Sequence, residues 1–209
     1  MHDIYDEDYY KHGIETGKSC YFDYRWLPER TMSMAMTIID YLGIKRHHTI
    51  LDYGCSLGYL VKAFRLLHRR SFGVDISKYA IANSDFSIAQ HCALVSSSKF
   101  INDKFDFCIA KDVFEHIKEP ELPNVLKSIN SDILFAVIPL GENGRYRAKA
   151  NNFDITHVTC RNEDWWITLF TENGWELKEF TFQIKGIKDS YSKISKAHGF
   201  FILRSKKSA

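Results

Sequence analysis

Two short stretches and two histidines carry residue types that could do chemistry. Asp52-Tyr53-Gly54-Cys55-Ser56-Leu57-Gly58 sets two glycines behind an acid, and Asp75 follows 23 residues after Asp52. A strand running into a glycine turn and then a helix opens a crevice at the carboxyl end of a parallel sheet, where glycine lets backbone approach a ligand. A dinucleotide would want G-x-G-x-x-G, to bring backbone amides onto a pyrophosphate. Counted from Gly54, the second and third glycine positions hold Ser56 and Tyr59. A phosphate-free nucleoside cofactor needs less bare backbone and fits better. Asp75, at the end of a strand, can accept both hydroxyls of a ribose through its two oxygens, or merely cap the helix that follows.

His116 and His157 are the candidate catalytic residues, because imidazole titrates near neutral pH and can take a proton from a nucleophile. The alternative for either is to order a loop or line a pocket. Asp112, Glu115 and His116 fall at i, i+3 and i+4, so a helix would put them on one face. Carboxylate plus imidazole could hold a divalent metal there, with His157 completing the shell. A polar helix start facing solvent is the reading preferred, and no metal ligand is assigned. Tyr9, Tyr10, Tyr21, Phe22, Tyr24 and Trp26 cluster beside Arg25 and Arg30. Aromatic rings can hold a cationic group by cation–π contact and arginine can clamp a carboxylate, but packing of a flanking helix accounts for most of these rings.

The elements that must position these residues alternate between strand and helix from about Thr49 onward, which favours a parallel sheet with helices on both faces. Residues 48–52 read as a first strand, and Leu60, Ala63, Phe64 and Leu67 repeat at helical spacing after the glycine turn. Residues 72–75 form a second strand, with Ser77 placed to cap the next helix. A weaker third strand lies at 93–95, a central one at 105–110 and a fifth at 133–138, stopped by Pro139. A short helix over 119–129 has Pro120 in its first turn. Asn162 caps a helix through Trp165, Trp166, Leu169 and Phe170, ended at Gly174. Residues 175–181 and 199–203 complete a seven-stranded sheet. Before the first strand, residues 1–48 form an N-terminal extension or lid, with one helix starting at Pro28 and burying Met32, Ala35, Met36 and Ile39. The expectation is a single domain over 1–209, with the Rossmann-like core at 49–209.

Composition bounds the partners. Hydrophobic residues make up 45% and charged residues 26% of the 209, and 28 basic against 26 acidic side chains leave a net charge of +2. That balance gives no reason for a polyanion as main partner. The five cysteines, Cys20, Cys55, Cys92, Cys108 and Cys160, include no C-x-x-C pair, so reduced thiols in a cytoplasmic protein are expected. Residues 1–10 lack the basic start and apolar stretch of a signal peptide, and no apolar run could span a bilayer.

With these residues in view, the chain resembles the class I S-adenosylmethionine methyltransferases. Leu51 to Gly58 is similar to their first motif and Gly73-Val74-Asp75-Ile76-Ser77 to their second. Residues 105–117, FDFCIAKDVFEHI, resemble the fourth strand and following helix of the small-molecule branch, which includes the ubiquinone-pathway O-methyltransferases. His157-Val158, Trp165-Trp166 and Gly174 resemble its later part, so the likeness spans about 49–181. The resemblance implies S-adenosylmethionine as cofactor. Gly54, Cys55 and Gly58 would wrap its methionine half, with Asp52 near the amino group. Asp75 would hold the ribose, Ile76 would pack on the adenine, and Ala110 and Lys111 would offer carbonyls to the amine. The chain departs from the pattern at Ser56, where a glycine is usual, and at Ser96-Ser97-Ser98, where many members place an acid for the adenine.

The function expected is methyl transfer to a small-molecule acceptor, by preference an oxygen on a sugar, glycan precursor or phenolic metabolite. Nucleic-acid or protein methylation and a non-catalytic cofactor-binding relative are the alternatives. Amino methylation of bases usually goes with D/N-P-P-aromatic after the fourth strand, where this chain reads Ala110-Lys111-Asp112-Val113. Cytosine C5 methylation needs Pro-Cys, a dipeptide this chain lacks. With no metal assigned, chelation is expected to leave activity intact.

Overall fold

The computed structural model describes residues 4–97 and 103–208. Strands β1 (Thr49–Tyr53), β2 (Arg70–Asp75), β3 (Cys92–Leu94), β4 (Phe105–Lys111) and β5 (Ser131–Pro139) run parallel, while β8 (Trp175–Thr181) and β9 (His198–Ser205) close one edge. The order is β3-β2-β1-β4-β5-β9-β8, with β9 antiparallel to both of its neighbours. Strand order reverses between β1 and β4, so their carboxyl ends flank the crevice where such sheets bind ligands. The mostly parallel Rossmann-like sheet with helices on both faces is as expected.

The period of two along the strands explains the layering. Ile50, Phe107, Ile109, Phe135 and Val137 face α3 (Pro28–Tyr41) and α4 (Tyr59–Leu66) in one buried cluster. Leu51, Tyr53, Cys108, Ala110, Leu134 and Ala136 face α6 (Leu122–Ser128) and α7 (Glu163–Glu172) in another. Both faces of the central strands are therefore covered, as their continuous apolar runs require. Side-chain caps sit where the sequence puts them: Ser77 Oγ accepts from Ala80 N at the start of α5 (Lys78–Ala82), and Asn162 Oδ1 accepts from Trp165 N at the start of α7. Gly174, with φ +93°, follows α7.

Several boundaries differ from expectation. Helix α6 begins at Leu122, with Pro123 and not Pro120 in its first turn, because Leu122 and Leu126 are the side chains buried against the sheet. Strand β5 stops at Pro139 as expected, but with Pro139 itself as its last residue, in register with His198. Helix α3 begins at Pro28 but buries Ala35 and Ile38, leaving Met36 58% exposed, so the stripe is rotated from the one read off the methionines. Two short helices precede it, α1 (Glu7–Lys11) and α2 (Gly13–Thr16), and a small hairpin of β6 (Gly141–Glu142) and β7 (Arg145–Tyr146) follows β5. No helix among the described residues is long and apolar enough to cross a membrane. The five cysteines are free thiols.

Candidate functional site

On the β1–β2 side, the glycine turn is built from backbone that no L-side chain adopts readily. Gly54 and Gly58 both have φ +79°. A Cβ on Gly54 would lie 2.5 Å from Val113 Cγ2, and one on Gly58 would lie 2.6 Å from Ile88 Cδ1, so neither position has room for one. The amides of Gly54 and Cys55 both donate to Val74 O, and Ser56 N donates to Asp75 Oδ2 at 2.7 Å. The turn thus spends these donors inside the fold, and they are not presented to a pyrophosphate. This supports the phosphate-free reading drawn from Ser56 and Tyr59.

Asp75 also accepts from Ser77 N at 2.8 Å, so it joins the glycine turn to the start of α5. Asp52 is 4% exposed. Burial pushes its carboxyl up to about 7, against the pull of Lys111 and with a further push from Asp75. Cys55 turns its thiol away from the crevice, packing under Gly73 beside Cys92, so only its backbone faces the turn. Ile76 is 63% exposed at the rim, and Ala110 lies buried at the end of β4, next to Lys111. Of Ser96-Ser97-Ser98, Ser96 is exposed, while the Ser97 side chain and all of Ser98 lie outside the described residues.

The N-terminal tyrosines lie across this edge as a layer, not as a flank on the sheet face. Tyr10 stacks between Tyr21 and Tyr79, and Tyr24 stacks on Tyr59. Tyr9 and Tyr10 are buried with Leu57 of the glycine turn and Ala80 of α5. Ser77 Oγ donates to the Tyr5 carbonyl at 2.6 Å, and Tyr9 Oη donates to Asp154 Oδ2 at 3.1 Å. The layer therefore touches both halves of the edge. Arg25 is turned outward onto Asp23.

On the β4–β5 side, the expected polar helix start is absent. Asp112 has φ +57°, which breaks any helical face with Glu115 and His116. Its carboxylate is drawn to Lys111 and Lys188, both at 2.6 Å. Burial would push that carboxyl up, but the two lysines outweigh it and hold it below the usual range. Residues Phe114–His116 instead form one tight 3-10 turn. Phe114 anchors it by packing against Trp166 and Phe170, and Glu115 is 0% exposed. The Glu115 carbonyl accepts from both Val158 N and Thr159 N, which clamps the segment after β5 onto this turn. As a result the His116 and His157 rings meet at 4.6 Å between centroids.

The two histidines are held by their Nδ1 atoms. His116 Nδ1 lies 2.8 Å from Thr156 Oγ1, whose own proton goes to Asp154 Oδ1, so the histidine is the donor. His157 Nδ1 donates to the Asn151 carbonyl at 2.8 Å. Burial, and then the neighbouring His157, bring His116 down to about 4, so it is neutral at pH 7 and a weak base. Both Glu115 carboxylate oxygens are buried without a hydrogen-bond partner among the described residues. Burial, and then Asp112, push its carboxyl well up. Leaving such a group unsatisfied costs about 1–3 kcal/mol, and more if it is charged.

His157 also lines an open cavity of about 400 Å³, shared with Tyr146, Asn151, Asp154, Glu119 and Arg161 among others. Arg161 grips Glu119 with two hydrogen bonds at its edge. Asp154, Thr156, Asn151 and Lys188 were not singled out in the sequence. Asp154-Ile155-Thr156 before His157 is an Asx-turn pattern, with Thr156 N donating to Asp154 Oδ1, and that signal was available. Lys188 carries no local signal.

Residues 51–130 match a family model described as a methyltransferase domain. That family indicates S-adenosylmethionine as the cofactor. No curated protein sequence matches the chain. Among solved structures, the chain is similar to a Pyrococcus horikoshii OT3 protein, PH0226, at 11% identity and TM-score 0.64, over 96% of this chain and 99% of that one. It is also similar to an S-adenosylmethionine-dependent methyltransferase of Methanosarcina mazei, at 19% identity and TM-score 0.59, over 80% and 96%. A TehB-like S-adenosylmethionine-dependent methyltransferase of Corynebacterium glutamicum ATCC 13032 aligns at 15% identity and TM-score 0.58, over 83% and 88%. At these identities the structural likeness concerns the fold.

Proposed function

We propose that the chain is an S-adenosylmethionine-dependent methyltransferase that methylates an oxygen on a small polar acceptor. The observation that carries this reading is the polar cavity opening on His157, beside His116 and Glu115, at the same sheet edge as the glycine turn. Its lining of amide, imidazole, phenol and paired charges suits a hydroxylated molecule. The residues of the first half fit the cofactor: Asp75 for the ribose hydroxyls, Asp52 for the amino group, Gly54, Cys55 and Gly58 for the methionine half, Ile76 for the adenine, and the Ala110 and Lys111 carbonyls beside them.

The cofactor supplies a sulfonium methyl: an oxygen–carbon bond forms as the sulfur–carbon bond breaks, and the electron pair returns to sulfur. The chain's part is to position the acceptor oxygen and to ease loss of its proton. The neutral His116 is a weak base, so the proton-handling role falls to His157 or to what it holds. The expected outcome is binding of S-adenosylhomocysteine by calorimetry, and a product heavier by one methylene (14 Da) when hydroxylated acceptors are screened by mass. Binding of NAD in place of S-adenosylhomocysteine would refute the cofactor half. Products methylated only on nitrogen would refute the acceptor half.

A further inference from the structure

We propose that Glu115, His116 and His157 bind one divalent transition-metal ion, which in turn holds the acceptor's oxygen. The second clause rests on the function proposed above, whereas the site stands on its own geometry. One ligand atom from each of the three residues lies within 4.8 Å of the others, and His116 Nε2 is 3.9 Å from Glu115 Oε1. Donors around one ion with bonds of about 2.0–2.2 Å sit roughly 3–4 Å apart, so each atom needs to move by less than ~1 Å.

Three further features make this a prepared site and not a chance cluster. Both imidazoles donate their Nδ1 protons outward, to Thr156 Oγ1 and to the Asn151 carbonyl, which leaves each Nε2 lone pair free for a ligand bond. Such outward hydrogen bonds are what fix the tautomer of a metal-binding histidine. Both oxygens of the fully buried Glu115 lack any hydrogen-bond donor among the described residues. The backbone clamp from Val158 and Thr159 to Glu115 fixes the three residues relative to one another across 42 residues of sequence.

Two imidazoles with one carboxylate suit zinc, iron, cobalt or manganese over calcium or magnesium, and three protein donors leave positions open for an exogenous oxygen. His157 lies on the wall of the polar cavity, so those positions are reachable from the acceptor side. An acceptor hydroxyl bound there loses its proton to water more readily, and its oxygen then keeps the electron pair that forms the new bond to carbon. Asp112 is not part of the site, since its carboxylate is turned onto Lys111 and Lys188.

The test uses the full chain, stripped with a chelator, dialysed and titrated with cobalt(II) followed by visible absorption. One equivalent is expected to bind with ligand-field bands of a nitrogen–oxygen site. Glu115→Gln and His157→Ala should each weaken binding at least tenfold, while calorimetry with S-adenosylhomocysteine shows that both variants still fold. His47→Ala should leave it unchanged, which excludes capture by the surface pair His47 and His48. No cobalt bound at millimolar concentration, or equal binding by Glu115→Gln and His157→Ala, overturns the site. Methylation that persists in metal-free protein overturns the metal's hold on the acceptor oxygen while sparing the function. Cobalt bound through these residues in a protein that methylates no acceptor keeps the site and overturns the function.

Discussion

The two halves of the sheet edge are built on opposite terms. Around the glycine turn the backbone donors are matched within the fold: Asp75 takes two amides, Val74 O takes two more, the glycines fit against Val113 and Ile88, and Ser56 Oγ is the one side-chain atom of the turn buried without a partner among the described residues. Around His157 polar side-chain atoms are left over: Glu115 has both oxygens unpartnered, and Asn151 Nδ2 and His198 Nε2 are also buried without partners among the described residues. Native proteins pair nearly all buried polar atoms, so each of these exceptions calls for a partner such as an ordered water or a bound group. The first half is the more fully satisfied scaffold, and the second is where we propose the chemistry.

The sharpest way to break this comparison is His157→Ala. It should lower turnover by about 10²–10⁴-fold, the usual cost of losing a proton-handling or activating group, with S-adenosylhomocysteine affinity unchanged by calorimetry. Wild-type turnover in that variant would make His157 structural. Asp75→Ala should do the reverse, weakening S-adenosylhomocysteine by about 1.5–3 kcal/mol, or roughly ten- to 150-fold, through lost charge-assisted hydrogen bonds. Unchanged affinity would remove Asp75 from the ribose.

A smaller effect follows from Asp52. Burial pushes its carboxyl up to about 7, and on the proposed assignment it must ionise to pair with the cofactor's ammonium. Affinity should therefore rise about tenfold per pH unit up to pH 7 and level off above it, and Asp52→Asn should flatten that dependence. In the free protein the sign is opposite. The unfolded carboxyl ionises at its ordinary 3.8, so Asp52 removes stability progressively as pH rises from there through 7. The smallest effect tests the unpaired acid: Glu115→Leu in chelator-treated protein should gain about 1 kcal/mol, raising Tm by roughly 2–4 °C. A lower Tm would mean that Glu115 is satisfied in the free protein.

The same division separates what the sequence shows from what it hides. Gly54, Gly58 and Asp75 are legible because their roles follow from local backbone, a turn and a strand end close in sequence. Pro28, Ser77 and Asn162 are legible for the same reason, since helix caps act within three residues. Pro120 and Pro123 are equally able to start a helix, and only the burial of Leu122 and Leu126 decides between them. The meeting of Glu115, His116 and His157 depends on a clamp between segments 42 residues apart. Asp112 leaves the trio because Lys188, from a distant loop, reaches its carboxylate. Neither fact has a local signature, and the helical spacing of Asp112, Glu115 and His116 pointed the wrong way.

The tyrosine layer also bears on how the molecule is assembled in time. Its ties run from Tyr5 to Ser77 and from Tyr9 to Asp154, pairs separated by 72 and 145 positions along the chain. Contacts that distant must wait until the intervening polypeptide is already compact, because the entropy of closing so large a loop is met before any bond forms. The strand pairs β1–β2, β2–β3 and β4–β5, by contrast, join residues 19 to 26 positions apart, and β1–β4 joins residues 57 apart. The edge where we propose the chemistry is thus roofed by a segment whose docking depends on the rest being in place.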